Sequence, residues 1–110
     1  MEPLTPAVFH ILLALAGGER HGYAIMQEVA ESTNQSFTMG PGTLYGTIKR
    51  MLDAGLIEES GDHPDPQMNE ERRRYYRITA AGWRAAEEEA GRLNLLVRLA
   101  KGKSLLRRAT

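Results

Sequence analysis

Apolar residues dominate the first part of the chain and predict a helix. Between Pro6 and Gly17 they fall on nearly every side of a helical projection, so this helix is expected to lie centrally and to pack against several neighbours. Thr5 is a suitable N-cap, and Pro6 occupies the favoured first position of a helix. The pair Gly17 and Gly18 is expected to end it.

Two amphipathic patterns follow and predict two more helices. The second helix is expected from about residue 21 to 32, with apolar residues at i, i+4 spacing. The third is expected from the Gly-Pro-Gly sequence at 40–42 to about residue 54, with its apolar face centred on Ile48. Tyr45 is expected near the boundary of the two faces. The opposite face and its flanks are expected to be small, polar and basic, with Gly42, Thr43, Gly46, Thr47, Lys49 and Arg50.

After Gly55 the pattern changes to that of β-strands. Residues 56–59 and 74–79 predict a hairpin, with Tyr76 and Ile78 directed to the core and with the basic residues Arg73 and Arg77 directed outward. The connection between the strands is polar, contains proline and is about a dozen residues long. That is long for a hairpin, so its tip is expected to be mobile.

The last part of the chain predicts one long helix. Thr79 is a suitable N-cap, and good helix formers continue to about residue 101. Its apolar residues recur at spacings of three and four, which is typical of a coiled-coil seam. The seam consists of Trp83, Ala86, Ala90, Leu93, Val97 and Ala100, and Leu96 and Leu99 widen it. This pattern favours a dimerisation helix, and the alternative is a helix that folds back onto its own domain.

Three helices followed by a two-stranded hairpin form the winged helix-turn-helix arrangement. The predicted fold class is therefore mainly α with a small β-hairpin, and the chain length favours one compact domain plus the long helix. The boundaries are expected at 1–79 for the winged helix-turn-helix domain, 80–101 for the dimerisation helix and 102–110 for a basic C-terminal tail.

The amino-acid composition excludes several classes of function. The 110 residues include no cysteine, which excludes disulfides and thiolate chemistry and fits a reducing cytoplasm. The start has no basic leader and the longest apolar run is short, so we expect no membrane association. The three histidines have no metal-ligand spacing, and no catalytic or cofactor motif is present. We therefore predict no enzyme activity, no metal and no cofactor.

The formal net charge is zero, but the charges are segregated along the chain. Residues 56–71 carry six acidic and no basic side chains, whereas 72–110 carry eleven basic and three acidic ones. Wing arginines and a third helix with short side chains and donors suit the phosphates and the major groove of duplex DNA. Ordinary solvated faces are the alternative, as is pairing of the arginines with the acidic loop. The candidate DNA-binding residues are Thr43, Tyr45, Thr47, Lys49, Arg50, Arg72, Arg73 and Arg74.

Four segments in this order resemble the PadR family of bacterial winged-helix transcriptional regulators: LTPAVFHILLAL, HGYAIMQEV, GPGTLYGTIKRMLDAGLIEE and RRRYYRIT. The resemblance covers residues 4 to about 83. It implies a homodimer that binds a palindromic DNA operator and represses transcription until a small-molecule effector releases it. It further implies that Tyr23 contacts the phosphate backbone. The other residues that it implies bind DNA are Thr43, Tyr45, Lys49 and Arg50 of the recognition helix and Arg73 and Arg74 of the wing.

Two departures from the family pattern qualify these expectations. The loop from residue 60 to 71 is longer and more acidic than usual, which argues against deep insertion of the wing tip into the minor groove. Leu93 stands where some short members carry an aromatic residue that stacks on planar ligands, so a flat aromatic effector is not implied. An effector pocket would be lined by Phe9, Leu93, Leu96 and Val97.

A function of another class remains open. A winged-helix module can bind a partner protein through the apolar seam of its last helix without binding DNA. Basic residues on both the third helix and the wing argue against this alternative.

Overall fold

The computed structural model describes residues 3–62 and 74–106. In chain order the elements are α1 (Pro6–Ala16), β1 (Arg20–His21), α2 (Gly22–Ser32), α3 (Pro41–Asp53), β2 (Ile57–Asp62), β3 (Arg74–Ile78) and α4 (Ala80–Gly102). The predicted class, mainly α with a small β-hairpin in a winged helix-turn-helix arrangement, is confirmed. The rest of the connection between β2 and β3, with its predicted mobile tip, and the last four residues of the predicted basic tail lie outside the described residues.

Side-chain caps define the starts of three helices. The Thr5 hydroxyl accepts a hydrogen bond from the Val8 amide at 3.3 Å, and the Thr79 hydroxyl accepts one from the Gly82 amide at 3.0 Å. The third cap is His21, whose Nδ1 accepts from the Ala24 amide at 3.1 Å. Each cap satisfies one of the amide groups that the first turn of a helix leaves unpaired.

The sheet has three strands in the order β1-β3-β2, not the two that the pattern predicts. β1 pairs with β3 through Arg20 opposite Tyr76 and His21 opposite Tyr75. A strand of two residues is too short to show an alternating pattern, which is why it was not predicted. β2 and β3 pair in antiparallel fashion with a bulge between Glu59 and Gly61.

The hydrophobic core lies between α1 and the elements that surround it. α1 contacts α2, α3, α4 and β3, which agrees with its predicted central position. Its buried residues include Ile11, Leu12 and Leu15, each 2% exposed or less. The other large contributions to this cluster come from Ile25, Val29, Leu44, Ile48, Met51, Ile57 and Tyr76.

The first turns of α4 pack against the rest of the same chain. Gly82, Ala85 and Glu89 are buried along one face. Position 82 has no room for a side chain, because a Cβ atom on Gly82 would lie 2.0 Å from the carbonyl oxygen of Leu56. The Thr79 hydroxyl also donates a hydrogen bond to the Gly55 carbonyl at 2.6 Å. The start of α4 is therefore fixed to the turn between α3 and β2.

The second half of α4 differs from the first. Leu95, Leu96, Val97 and Leu99 are 53%, 48%, 41% and 52% exposed. The helix thus folds back onto its own domain only over its first turns, and the rest presents apolar side chains to solvent.

Candidate nucleic-acid interface

The exposed face of α3 carries short and basic side chains. Leu44, Ile48 and Met51 are buried, whereas Gly42, Thr43, Lys49 and Arg50 are exposed. The division of α3 into an apolar inner face and a polar outer face therefore agrees with the sequence pattern. A helix of this kind lets its backbone approach base pairs while longer basic side chains reach phosphates or base edges.

The prediction that Thr47 lies on the exposed flank of α3 is wrong. Thr47 is 0% exposed, and its hydroxyl donates to the Thr43 carbonyl at 2.7 Å. The same hydroxyl accepts a hydrogen bond from Nη2 of Arg50 at 3.2 Å. Thr47 and Lys49 both lie about 100° from Ile48 on the helix, but Lys49 is exposed. The packing on each flank, and not the angle, therefore decides which of the two is covered. Thr47 therefore orients the Arg50 side chain and does not itself reach an external partner.

The two tyrosines assigned to DNA binding have different surroundings. Tyr45 is half-buried at the contact between α2 and α3, and a Cβ atom on Gly22 would lie 2.6 Å from its hydroxyl oxygen. Glycine at position 22 thus makes room for the Tyr45 ring. Tyr23, by contrast, is 44% exposed on α2, which suits a contact with an external group.

A groove between α3 and the wing brings two predicted basic residues together. Lys49 of α3 and Arg74 of β3 both line it, and its volume is about 240 Å³. The remaining lining residues are Tyr45, Ile48, Leu52, Glu59 and Tyr76. The wing therefore extends the basic surface of α3. The other two wing arginines, Arg72 and Arg73, lie outside the described residues.

Acidic residues of β2 pair with arginines of β3. Arg77 Nε donates to Glu58 Oε1 at 2.7 Å, and Arg74 Nη1 lies 4.0 Å from Glu59 Oε1. All four side chains are about half exposed, and exposed pairs of this kind stabilise a protein by under about 1 kcal/mol. These two partners are residues of β2, and most of the acidic loop proposed from the sequence lies outside the described residues. Such weak pairs leave both arginines available to a polyanion.

The predicted dimerisation residues divide into two groups. Trp83, Ala90, Leu96 and Val97 are exposed, with Trp83 at 47%. The other three, Ala86, Leu93 and Ala100, are half-buried within the chain itself. The exposed group and the neighbouring leucines give α4 a long apolar surface.

The residues expected to line an effector pocket are not brought together within one chain. Phe9 lines an apolar groove of about 160 Å³ between α1 and α4, whereas Leu93, Leu96 and Val97 lie beyond it along α4. The groove is lined by Phe9, Leu12, Leu13, Ala16, Trp83, Ala86, Glu87 and Ala90.

One buried carboxylate was not predicted. Glu89 is 6% exposed, and Arg92 donates to it through Nε at 3.0 Å and through Nη2. The hydrogen bond from Arg92 holds the pKa of Glu89 below its ordinary value, and it raises the pKa of Arg92. Glu89 lies on the same face of α4 as the buried Gly82 and Ala85. The sequence pattern does not mark that face, because the apolar residues of α4 recur one position later, at Trp83, Ala86 and Ala90.

Residues 3–62 and 74–106 contain no cluster of three or more His, Asp or Glu side chains that could hold a metal ion. Over the same residues, no helix has both the length and the apolar character that crossing a bilayer requires.

The fold defines a winged-helix protein whose third helix carries the exposed basic residues Lys49 and Arg50. Residues 11–88 match the model of the transcriptional regulator PadR-like family, and the chain belongs to that family. Transcriptional regulator Rv3488 of Mycobacterium tuberculosis is 35% identical over 89 residues, which cover 81% of this chain and 77% of that protein.

Two further comparisons extend this result. Uncharacterized protein X of Lysinibacillus sphaericus is 38% identical over 73 residues, 66% of this chain and 63% of that protein. The crystal structure of Bacillus subtilis PadR in complex with operator DNA superposes with a TM-score of 0.67 at 22% identity. The superposed region covers 78% of this chain and 47% of the Bacillus subtilis chain. The present chain thus spans less than two thirds of both proteins.

Proposed function

We propose that this protein is a homodimeric transcriptional repressor that binds a palindromic DNA operator through α3 and the wing. The observation that supports this most strongly is that Lys49 of α3 and Arg74 of the wing line one groove, with Arg50 exposed on the same helix. Thr43 of α3 and Tyr23 of α2 are also exposed. In this assignment the short residues of α3 face base edges, and the basic residues and Tyr23 bind phosphates. Arg72 and Arg73 would add to the wing contacts.

Dimer formation through α4 explains the exposed apolar residues of that helix. Four side chains from Leu95 to Leu99 are each 41% exposed or more, and an apolar surface of that kind on a single chain marks an interaction site. In a two-fold dimer the same residues of each copy cover those of the other. Two recognition helices would then face half-sites about one helical turn of DNA apart.

The remaining parts of the proposal concern regulation. A small-molecule effector would bind where the dimer brings Phe9 of the α1–α4 groove near Leu93, Leu96 and Val97. Its binding would change the relative positions of the two recognition helices and so release the operator. The protein would act in the cytoplasm, and residues 1–79 would bind DNA while 80–101 join the two copies.

The test is a titration of the protein against the DNA upstream of its own coding sequence at several salt concentrations. Lys49→Ala and Arg50→Ala are each expected to reduce the slope of log K against log salt by roughly 1, since each removes one phosphate contact. Arg98→Ala is the matched control, because it removes an equal charge from the exposed surface of α4. Unchanged slopes and affinities in both α3 variants would contradict the assignment.

The second candidate function is that of a protein-interaction module that does not bind DNA, and the same titration tests it. The apolar surface of α4 is the observation that favours it, because a different protein could cover those side chains. A wild-type protein that is monomeric and shows no salt-sensitive DNA binding would support that candidate over the repressor.

A further inference from the structure

The proposed function leaves the buried carboxylate of Glu89 without a role. Among the described residues, Glu89 and Thr47 are the buried polar side chains. A buried carboxylate destabilises a protein unless charged or hydrogen-bonding groups compensate it. The groups that surround Glu89 therefore indicate what it does.

Glu89 joins α4 to the start of α1. Its Oε1 accepts a hydrogen bond from the Leu4 amide at 3.4 Å, one residue before the N-cap of α1. The first turn of α1 contains no acidic residue, so Glu89 supplies negative charge near the positive end of that helix dipole. Arg92 binds both carboxylate oxygens from the solvent side, which neutralises the charge and holds the side chain in one orientation.

Glu89 is the last buried residue of α4, and the other contacts that fix the helix to the domain lie before it. At the start of the helix, Thr79 bonds to the Gly55 carbonyl and Gly82 lies against the Leu56 carbonyl. Glu89 is seven residues beyond Gly82, or about 10 Å along the helix. A helix held only at its start can pivot, whereas a helix that is also held about 10 Å further along keeps its direction. Beyond Glu89 the exposed leucines of α4 show that the chain itself provides little further support.

We propose that Glu89 is a positioning residue that fixes the direction of α4 relative to the DNA-binding domain. The consequence for DNA rests on the proposed function: because α4 joins the two copies, its direction sets the separation of the two recognition helices. A tilt of about 10° over the roughly 35 Å of α4 displaces its end by about 6 Å, which exceeds one base-pair step of about 3.4 Å. Loss of the Glu89 contact should therefore weaken the preference of the dimer for one half-site spacing over others.

The first test measures the direction of α4 within one chain and needs neither DNA nor a dimer. The protein has no cysteine, so Asp53→Cys on α3 and Arg98→Cys on α4 provide two exposed positions for spin labels. Labelled protein is diluted with unlabelled protein so that only the distance within a chain is recorded. We expect a narrow distribution in the parent and a distribution broadened or shifted by several ångström in Glu89→Gln.

A matched control and a second variant complete this measurement. Glu88→Gln removes an equal charge from an exposed position of the same helix, and it should leave the distribution unchanged. Arg92→Gln removes the group that neutralises Glu89 from the solvent side, so it should broaden the distribution even if Glu89→Gln fails to fold. An unchanged distribution in Arg92→Gln, or in a folded Glu89→Gln protein, would overturn the proposal.

The second test separates positioning from stability by using DNA. Operators with half-site spacings that differ by one base pair are titrated against the wild type, Glu88→Gln and Glu89→Gln. We expect Glu89→Gln to bind about tenfold more weakly at the best spacing and to lose most of the preference for it. An equal loss at every spacing would contradict positioning. Absence of DNA binding by the wild type would contradict the proposed function, while the distances within the chain would still test the role of Glu89.

Discussion

α1 and the second half of α4 are both rich in leucine and related apolar residues, yet one is buried and the other is exposed. Ile11, Leu12 and Leu15 of α1 are at most 2% exposed, whereas Leu95 and Leu99 of α4 are about half exposed. Helix propensity does not explain the difference. α1 is surrounded by three helices and a strand, and α4 beyond Glu89 extends past the domain. The comparison teaches that apolar spacing predicts which face of a helix is buried. It does not predict whether that face is buried by the same chain or by a partner, because that depends on tertiary or quaternary structure.

The largest expected effect is on the dimer. Val97→Glu places a charge on the exposed apolar surface of α4, and burying that charge at an interface should weaken association by about 3–5 kcal/mol. Sedimentation is expected to show a folded monomer. Asn94→Glu is the control, because it adds the same charge at an exposed polar position three residues earlier. A Val97→Glu protein that remained dimeric would place the interface elsewhere.

The next prediction compares the two leucine-rich regions directly in the Val97→Glu background, where association no longer contributes. Leu12→Ala should lower the free energy of unfolding by about 3 kcal/mol, because it leaves a cavity in the core. Leu99→Ala should change it by under about 1 kcal/mol, because the side chain is already exposed. Urea unfolding measures both. Similar losses in the two variants would mean that α4 is covered within the chain after all.

Two glycines of α4 test the difference between its first turns, which pack against the domain, and its exposed second half. Gly82→Ala should destabilise the protein by about 2 kcal/mol, because the added Cβ would overlap the Leu56 carbonyl. Gly91→Ala meets no atom within 4 Å and should stabilise the helix by about 0.5–1 kcal/mol. Thermal unfolding of both variants gives the sign of each change. Stabilisation by Gly82→Ala would show that the first turns of α4 are not tightly docked.

The smallest expected effect concerns pH. The hydrogen bond from Arg92 lowers the pKa of Glu89 in the folded protein below its ordinary value of 4.5. The stabilisation from the charged carboxylate is therefore fully present above pH 4.5 and is lost as the pH falls through the lowered pKa. The stability difference between wild type and Glu89→Gln should be constant from pH 5 to 7 and shrink toward pH 3. Urea unfolding across this range tests it, with Glu88→Gln as control, and a difference that grew on acidification would contradict the account.

Most of the fold was predictable because its signals are local. The four helices and the two hairpin strands follow from apolar spacing and from caps such as Thr5 and Thr79, and the outer face of α3 follows from helical geometry. β1 was not predictable because two residues carry no periodicity.

The candidate site was predictable only in part, since burial depends on neighbours distant in the sequence. Thr47 lies at the edge of the α3 face, and only the packing around it decides that it is buried. Glu89 belongs to a run of three glutamates that resembles a solvated charge cluster, and its role depends on Leu4, 85 residues away. The proximity of Lys49 to Arg74 likewise depends on how the wing packs against α3.

The most direct test of the account is the stoichiometry and affinity of binding to DNA with one half-site or two. The account assigns recognition to α3 and assembly to α4, so both are required for tight binding. We predict two protein chains per duplex that carries the full inverted repeat, and at least tenfold weaker binding to a duplex with a single half-site. One chain per duplex, or equal affinity for the two duplexes, would contradict it.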